Sequence, residues 1–315
     1  MPSQAARAPR RLQAEPRSPE APALDVIVVT AVGGREHLRA CLESLERHPL
    51  RAGPMAVQVV DNDSRDGTAE MVRERFAWVR LHALDWNAGF CHANNLGLRE
   101  ASAPFALLLN PDTEVTEGAL DHMVSVMEAK PDVGIAGCRL VRRDGSFDHA
   151  AKRSFPTVTG ALAQFTRVAG RSRAGNRLGQ YRAPALGERE TGEVDAVNGA
   201  FMLVRNSALP SVGLLDERYW MYMEDLDWCY RFKQRGWKIV YDGTVTVVHV
   251  KGATTVKRRH RGLRHNFAFH RGMGRFYRKF YAGRQPLLDA AVYLGIVAKL
   301  LVSVARSALA RRSLA

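Results

Sequence analysis

Val26-Ile27-Val28-Val29-Thr30 is a continuous run of β-branched residues, the pattern of a strand buried on both faces. A helix is predicted next at 35–47, and the second strand at 56–60. The alternation continues with strands at 79–81, 105–109 and 133–137 and with helices that start near Asp66 and span 91–100 and 117–129. Strands and helices that alternate at this spacing predict βαβ units. We therefore expect an α/β fold with a Rossmann-like, mostly parallel central sheet flanked by helices.

Polar residues follow three of the predicted strands. Thr30 ends the first, Asp61 ends the second, and Asn110-Pro111-Asp112 follows the run Phe105–Leu109. Ligands in such sheets bind beyond the carboxyl ends of the strands, so the pattern predicts a site at this edge. The alternative is that each Asp caps the helix that follows it.

A dense acid cluster occurs in Tyr222-Met223-Glu224-Asp225-Leu226-Asp227-Trp228. Neighbouring carboxylates repel one another unless a cation or a proton relieves them, which favours a functional site. Asp227 is expected to pair with Arg231 one helical turn on. The alternative is an ion-paired start of a helix.

The composition restricts the class of protein. The 315 residues carry a net charge of +14 with a pI near 10.1, which indicates a polyanionic partner such as nucleic acid, a membrane surface or a phosphate-bearing small molecule. The four scattered cysteines match neither a zinc site nor a disulfide framework and fit a reducing compartment. Residues 1–22 lack an apolar signal core, and we predict a disordered tail there.

The second half of the chain is less regular. We predict a loose, mobile segment at 139–192, a basic helix at 266–281 and an apolar stretch at 286–305. That stretch is long enough to span a membrane but is interrupted by Asp289 and Lys299, so a helix lying in the membrane surface fits better. A helix packed on the main domain is the alternative. The basic helix has four interpretations: a nucleic-acid patch, a site for an acceptor diphosphate, a contact for anionic lipid, or a charged surface without a partner.

Six motifs in order resemble the family 2 glycosyltransferases, and most closely their rhamnosyltransferase-like branch. The resemblance covers about residues 24–282 and rests on the strand 26–30, Val60-Asp61-Asn62-Asp63-Ser64-Arg65-Asp66-Gly67-Thr68, Asn87-Ala88-Gly89-Phe90 with Asn95 and Gly97, Asn110-Pro111-Asp112, Asp195-Ala196-Val197-Asn198-Gly199-Ala200, and Glu224-Asp225-Leu226-Asp227.

The resemblance implies a GT-A domain over 23–265 and a basic, amphipathic C-terminal helical region over 266–315. It implies an inverting hexosyl transfer from a dTDP- or UDP-sugar, with rhamnose on dTDP as the expected donor. The expected acceptor is a saccharide or a polyprenyl-diphosphate-linked saccharide in cell-surface polysaccharide synthesis. We expect a cytoplasmic protein, peripheral at the inner face of the plasma membrane and bound to its anionic surface.

The resemblance also implies roles for individual residues. Asp225 would be the base that deprotonates the acceptor, and Glu224 would hold or tune it. Asp112 and His249 would bind a divalent cation, Mg²⁺ or Mn²⁺, that stabilises the leaving diphosphate. A structural histidine is the alternative at 249. Asp195 and Asn198 would line the sugar and acceptor side. The residues expected to bind the donor nucleotide and sugar are Thr30, Asp61, Asn87, Gly89, Asn95, Asn110 and Asp112.

The sequence departs from the family pattern at two positions. Asn110 replaces the first acid of the family's Asp-x-Asp motif, which weakens the charge of the metal site, and Ala93 replaces a usual glycine. Two rival functions are a Rossmann-type oxidoreductase and a non-catalytic nucleic-acid-binding protein. Gly33-Gly34 lacks the three spaced glycines that a dinucleotide requires, and nucleic-acid binding leaves the strand-end acids unexplained, so no nucleic-acid partner is expected.

Overall fold

The computed structural model describes residues 21–156, 186–250, 263–283 and 285–312, with side chains described to residue 307. All but the last two residues of the predicted tail lie outside these ranges. The middle of the predicted loose segment and the basic run Lys257–Arg261 also lie outside them.

Eleven strands occur in the described residues, and nine of them form one sheet. The sheet order is β3-β2-β1-β4-β10-β6-β11-β5, and β8 pairs with β11 beside this path. The strands are β1 Leu24–Thr30, β2 Met55–Asn62, β3 Arg80–Leu84, β4 Phe105–Leu109, β5 Thr113–Glu114, β6 Val133–Val141, β7 Lys152–Arg153, β8 Gly192–Glu193, β9 Ala196–Val197, β10 Phe201–Arg205 and β11 Lys238–His249.

The main strands confirm the predicted α/β sheet. β1, β2, β3, β4, β6 and β11 run in one direction, and β5, β8 and β10 run against them. β10 lies between β4 and β6 and is antiparallel to both, an insertion that the strand–helix alternation did not predict. β7 and β9 form a separate two-stranded sheet. All residues of β1, β4 and β6 are buried, as expected for strands covered on both faces.

Helices connect strands of the sheet and cover its faces. The helices of the described residues are α1 Arg35–Arg47, α2 Thr68–Arg75, α3 Phe90–Glu100, α4 Ala119–Ala129, α5 Leu209–Val212, α6 Glu224–Gln234, α7 Leu263–Phe280 and α8 Pro286–Arg312. α1 shows how the pattern works: Leu38, Cys41, Leu42 and Leu45 recur at helical spacing and are fully buried, while its charged residues face outward.

The segment predicted to be loose has ordered ends. β6 continues to Val141, beyond the predicted strand end at 137, because its last residues pair with the second half of β11. β7 also lies within 139–192, and β8 begins at its last residue. At the C-terminal boundary, α7 begins at Leu263 and packs Phe276 into the main core, so it crosses the predicted limit at 265.

α8 packs on α7 with its polar side. Asn266 of α7 bonds Ser303 and Ser307 at 3.0 and 3.1 Å, and the Tyr277 hydroxyl donates to Asp289 at 2.6 Å. The opposite side of α8 is apolar and exposed, with Leu287 89% and Leu294 71% accessible. By length and composition, residues 286–307 are apolar enough to cross a membrane, although one such helix is weak evidence for a span.

All four cysteines are free and buried. Cys41 lies in α1, Cys91 in α3, Cys138 in β6 and Cys229 in α6.

Candidate active site

The carboxyl ends of β1 and β2 bring Thr30 and Asp61 side by side, because these two residues are paired in the strand register. The Thr30 hydroxyl is buried and has no hydrogen-bond partner among the described residues. The Asp61 carboxylate accepts from the Ser64 amide at 3.1 Å and from the Ser64 hydroxyl at 2.9 Å. Burial raises the pKa of Asp61 against the effect of these bonds. An unsatisfied hydroxyl next to this acid is suited to a polar ligand.

Asn62, the last residue of β2, organises the loop at 87–89. Its amide nitrogen lies 3.4 Å from Asn87 Oδ1 and 3.3 Å from the Gly89 carbonyl, and its oxygen accepts from the Ala88 amide at 2.8 Å. Asn62 was not among the predicted site residues. Its position directly after Asp61, on a strand end, was the available indication.

Gly89 has a structural requirement that the sequence did not reveal. Its φ is +88°, and a Cβ there would lie 2.5 Å from Trp220 Cδ1 and 2.8 Å from the Trp220 carbonyl. The next amide, Phe90, donates to that carbonyl at 2.8 Å. The absent side chain at 89 therefore lets the 87–90 loop dock on the segment before α6. That the missing side chain also allows the backbone to approach a nucleotide closely stays a prediction.

Asn95 is engaged within the protein. Its amide nitrogen donates to the Leu215 carbonyl and to Glu217, both at 2.9 Å, and its oxygen accepts from the Leu215 amide at 3.0 Å. Both donor hydrogens of the amide are thereby used. In this structure Asn95 ties α3 to the segment 215–217, and its predicted contact with the donor remains untested.

Asp112 and His249 meet because β5 pairs with the end of β11. The His249 Nε2 atom lies 3.4 Å from Asp112 Oδ1, and both side chains are buried. On the other side of the imidazole, Nδ1 lies 3.2 Å from Asp148, which sequence reasoning missed. Burial lowers the pKa of His249, but the hydrogen bonds and charges of Asp112 and Asp148 outweigh it and raise the pKa to about 9. Asp148 therefore orients the ring and leaves Nε2 directed at Asp112.

The acid pair begins α6. Tyr222 and Met223 have φ of +71° and +73°, a left-handed conformation that non-glycine residues adopt at a cost. This turn places Glu224 and Asp225 in the first helical turn, where the helix dipole favours negative charge. Asp227 pairs with Arg231 at 2.8 Å, which confirms the predicted pairing one turn on.

Glu224 and Asp225 have different environments. Asp225 forms a short ion pair with Arg153 of β7, and Arg153 also donates to the Val197 carbonyl at 2.9 Å. Glu224 is buried, and its Oε2 has no hydrogen-bond partner among the described residues. Burial, and then the charge of Asp225, raise the pKa of Glu224 to about 8. The raised pKa of Glu224 favours a proton on that residue at neutral pH.

Loop 198–200 connects the Asn110–Asp112 segment with the acid pair at the start of α6. The Ala200 carbonyl accepts from the Asn110 amide at 3.0 Å, and the Ala200 amide donates to Asn198 at 2.8 Å. A Cβ on Gly199 would lie 4.0 Å from the Cβ of Asp225. Asp195 accepts from the Phe155 amide at 3.0 Å and from Lys233 at 3.2 Å.

This edge of the sheet thus gathers part of the predicted set, whereas Asn95 and Asp195 are held by other neighbours within the protein. It brings Thr30 beside Asp61, Asp112 beside His249, and Asp225 beside the loop that carries Asn198. Sequence reasoning missed four residues that position this set, namely Asn62, Asp148, Arg153 and Trp220. Asp148 and Arg153 lie in the stretch predicted to be loose, where no periodicity indicated a role.

Comparison with known protein families gives one clear match. Residues 26–193 match the model of glycosyl transferase family 2. The chain is 32% identical over 244 residues to N-acetylglucosaminyl-diphospho-decaprenol L-rhamnosyltransferase of Mycobacterium tuberculosis, an alignment that covers 74% of this chain and 77% of that protein. It is 23% identical over 235 residues to the rhamnosyltransferase WbbL of Escherichia coli, covering 71% and 82%.

Solved structures agree on the fold. The mannosyltransferase PcManGT of Pyrobaculum calidifontis, in complex with GDP-Man and Mn²⁺, superposes with a TM-score of 0.58 at 17% identity over 95% of this chain and 79% of that one. GalNAc-T7 with UDP, GalNAc and Mn²⁺ gives a TM-score of 0.54 at 14% identity, over 74% and 44% of the two chains.

Proposed function

Since this chain belongs to glycosyl transferase family 2 and is a glycosyltransferase with the predicted GT-A fold, we propose that it transfers rhamnose, with inversion, from a nucleoside-diphosphate donor to a lipid-linked saccharide in cell-surface polysaccharide synthesis. The likeness to the mycobacterial rhamnosyltransferase over three quarters of both chains carries this proposal. The family assignment decides against the oxidoreductase and the non-catalytic nucleic-acid-binding alternatives.

The acid pair supplies the base. An acceptor hydroxyl oxygen forms the new bond to the anomeric carbon, the bond from that carbon to the diphosphate breaks, and Asp225 takes the hydroxyl proton. Asp225 suits this role because Arg153 holds its carboxylate in place at the start of α6, whereas burial and the neighbouring charge raise the pKa of Glu224 to about 8. Thr30 and Asp61 would face the nucleoside, and Asp195 and Asn198 the sugar and acceptor.

Asp112 and His249 fit a divalent cation. Carboxylate and imidazole are ligands that Mn²⁺ accepts, and binding would displace the proton that Asp112 and Asp148 stabilise on His249. Asp148 on the far ring nitrogen is the support typical of a metal-binding histidine. Across the described ranges, no three His, Cys, Asp or Glu side chains form a complete metal site. Two protein ligands suit an ion whose remaining positions are filled by phosphate oxygens. When bound, the cation would neutralise charge on the leaving diphosphate.

The donor is tested by thermal denaturation of the full chain with UDP-, dTDP- and GDP-sugars, with and without Mn²⁺ or Mg²⁺. A donor at about 100 times its Kd adds about 2.7 kcal/mol to the free energy of unfolding. We expect dTDP-rhamnose to raise Tm most, and labelled rhamnose to enter the lipid fraction when a polyprenyl-diphosphate-linked N-acetylglucosamine is added. Absence of any donor-induced shift, together with absence of transfer, would refute the proposal.

The cation site gives a separate prediction. Asp112→Asn is expected to remove the Mn²⁺-dependent part of the donor-induced rise in Tm, because the amide loses the negative charge that holds the ion. Glu114→Gln is the matched control, since Glu114 is a neighbouring acid paired with Arg143 at 3.0 Å. An Asp112→Asn protein that responds to Mn²⁺ as fully as the control would place the cation elsewhere.

Glu224 predicts a pH dependence of stability. Its pKa is about 8 in the folded protein and 4.5 in the unfolded chain, so the folded protein binds this proton more tightly than the unfolded chain does. The contribution is fully present below pH 4.5 and is lost as pH rises towards 8. We expect Glu224→Gln to gain stability relative to the wild type from pH 5 to pH 8. Urea denaturation at both pH values measures this, and an unchanged difference would contradict the raised pKa.

A further inference from the structure

Three arginines of α7 share one side of the helix. Arg271, Arg275 and Arg278 follow the spacing i, i+4 and i+7, which places them on one face. They line a cavity of about 420 Å³ together with Gly274 and with Tyr293 of α8. The cavity therefore lies at the junction of the two C-terminal helices.

The charge of this cavity is not neutralised. In the parts of the chain that the structure describes, none of the three guanidiniums is within ion-pair distance of a carboxylate. Their neighbour Lys279 differs, because it pairs with Asp216 at 2.8 Å and with Asp227 at 2.7 Å. Arg275 lies 5.6 Å from the centroid of the Tyr219 ring, a contact that holds its side chain without cancelling its charge. Three guanidiniums that line one cavity without an ion-pair partner among the described residues are suited to bind an anion.

The anion site adjoins an apolar surface. The outward side of α8 carries exposed apolar residues at helical spacing, namely Leu287, Leu294, Val297 and Leu301. Its polar residues Asp289, Ser303 and Ser307 face α7. A helix whose apolar side is exposed and whose polar side rests on the protein is suited to lie in a membrane surface. Tyr293 of α8 lines the arginine cavity beside the apolar side of the helix. Tyrosine is enriched at the interface between membrane and water.

We propose that Arg271, Arg275 and Arg278 bind the phosphate of an anionic phospholipid when the apolar side of α8 enters the bilayer. Guanidinium matches phosphate geometry with paired hydrogen bonds, and the adjoining apolar side would accommodate the acyl region. The inference rests on the proposed transfer to a lipid-linked acceptor, which requires the protein at a membrane, and it adds a lipid class and a binding site. Among the interpretations left open for the basic helix, it selects the contact with anionic lipid and restricts it to three arginines, since His270 and Tyr277 are buried and Lys279 is paired with acids.

The test is sedimentation of the full chain with vesicles of phosphatidylcholine alone, or of equal parts phosphatidylcholine and phosphatidylglycerol. The variant is Arg271→Gln/Arg275→Gln/Arg278→Gln. The matched control is Arg47→Gln/Arg73→Gln/Arg80→Gln, which makes the same change of charge on α1, α2 and β3. Since a basic residue at an anionic surface contributes about fivefold, we expect the variant to lose roughly 100-fold of its affinity for the mixed vesicles and the control to bind nearly as the wild type.

Two results would overturn the proposal. One is equal losses in variant and control, which would show attraction by net charge alone. The other is a raised KM of the variant for the lipid-linked acceptor in detergent without phospholipid, which would assign the arginines to the acceptor's diphosphate. We expect that KM to be unchanged and Tm to stay near the wild-type value. Vesicle binding needs neither donor nor transfer, so its failure is distinct from failure of the proposed activity.

Discussion

Asp225→Asn is expected to lower kcat by roughly 10²–10⁴-fold, the usual contribution of a positioned general base. The amide has nearly the same shape and still accepts a hydrogen bond from Arg153, but it cannot take the acceptor's proton. Thr30, Asp61 and Asp112 are untouched, so dTDP-rhamnose should still raise Tm relative to the variant without donor. Transfer rates at saturating substrate and thermal denaturation measure the two effects.

The control for this substitution is Asp132→Asn. Asp132 forms an exposed ion pair with Lys238 at 2.7 Å, just before β6 and outside the proposed site. We expect its kcat to stay near the wild-type value. If Asp225→Asn turned over as fast as Asp132→Asn, Asp225 would not be the base, and Glu224→Gln would become the next variant to assay.

Arg153→Ala is expected to reduce both stability and activity. The Arg153 and Asp225 side chains are 9% and 13% exposed, and removing one partner of a buried ion pair typically costs about 3–5 kcal/mol. Loss of the guanidinium also removes the contact that holds the Asp225 carboxylate in place. Urea denaturation should show the loss in stability, and transfer rates at saturating substrate should show a lowered kcat.

A double-mutant cycle separates the pair from its surroundings. Arg153→Ala/Asp225→Asn leaves no unpaired charge, so its loss of stability should be smaller than the sum of the two single losses. Arg143→Ala is the matched control, because Arg143 is 63% exposed in its pair with Glu114 and such pairs contribute about 0–1 kcal/mol. Additive losses in the cycle, or an Arg153→Ala protein as stable as the control, would deny the coupling.

Local pattern was sufficient to predict much of the fold. The runs at 26–30 and 105–109 lie within β1 and β4, because strands buried on both faces must be apolar throughout. β10 was not predicted as an antiparallel member, since four apolar residues followed by an arginine carry no information about direction or neighbours. Strand order and direction depend on contacts between residues that are distant in the chain, and such contacts place β10 between β4 and β6.

The candidate site, like the fold, could be predicted from the sequence only in part. Residues at strand ends were identified because position on a strand and residue type together indicate a ligand edge. Arg153 and Asp148 were missed because their partners lie 72 and 101 residues away, at Asp225 and His249. A single sequence shows an acid or a base but not the side chain that holds it. The supporting residues of a site are therefore the part that requires a structure.

The buried cysteines offer built-in reporters of local opening. Burial raises the pKa of all four thiols and keeps reagents from them. Alkylation under native conditions must then wait for each element to detach, so its rate measures the opening free energy of α1, α3, β6 and α6 separately. A donor added during labelling would lower the alkylation rate most for thiols in the elements that it stabilises. The four rates would thereby show which parts of the structure the donor stabilises, without any engineered probe.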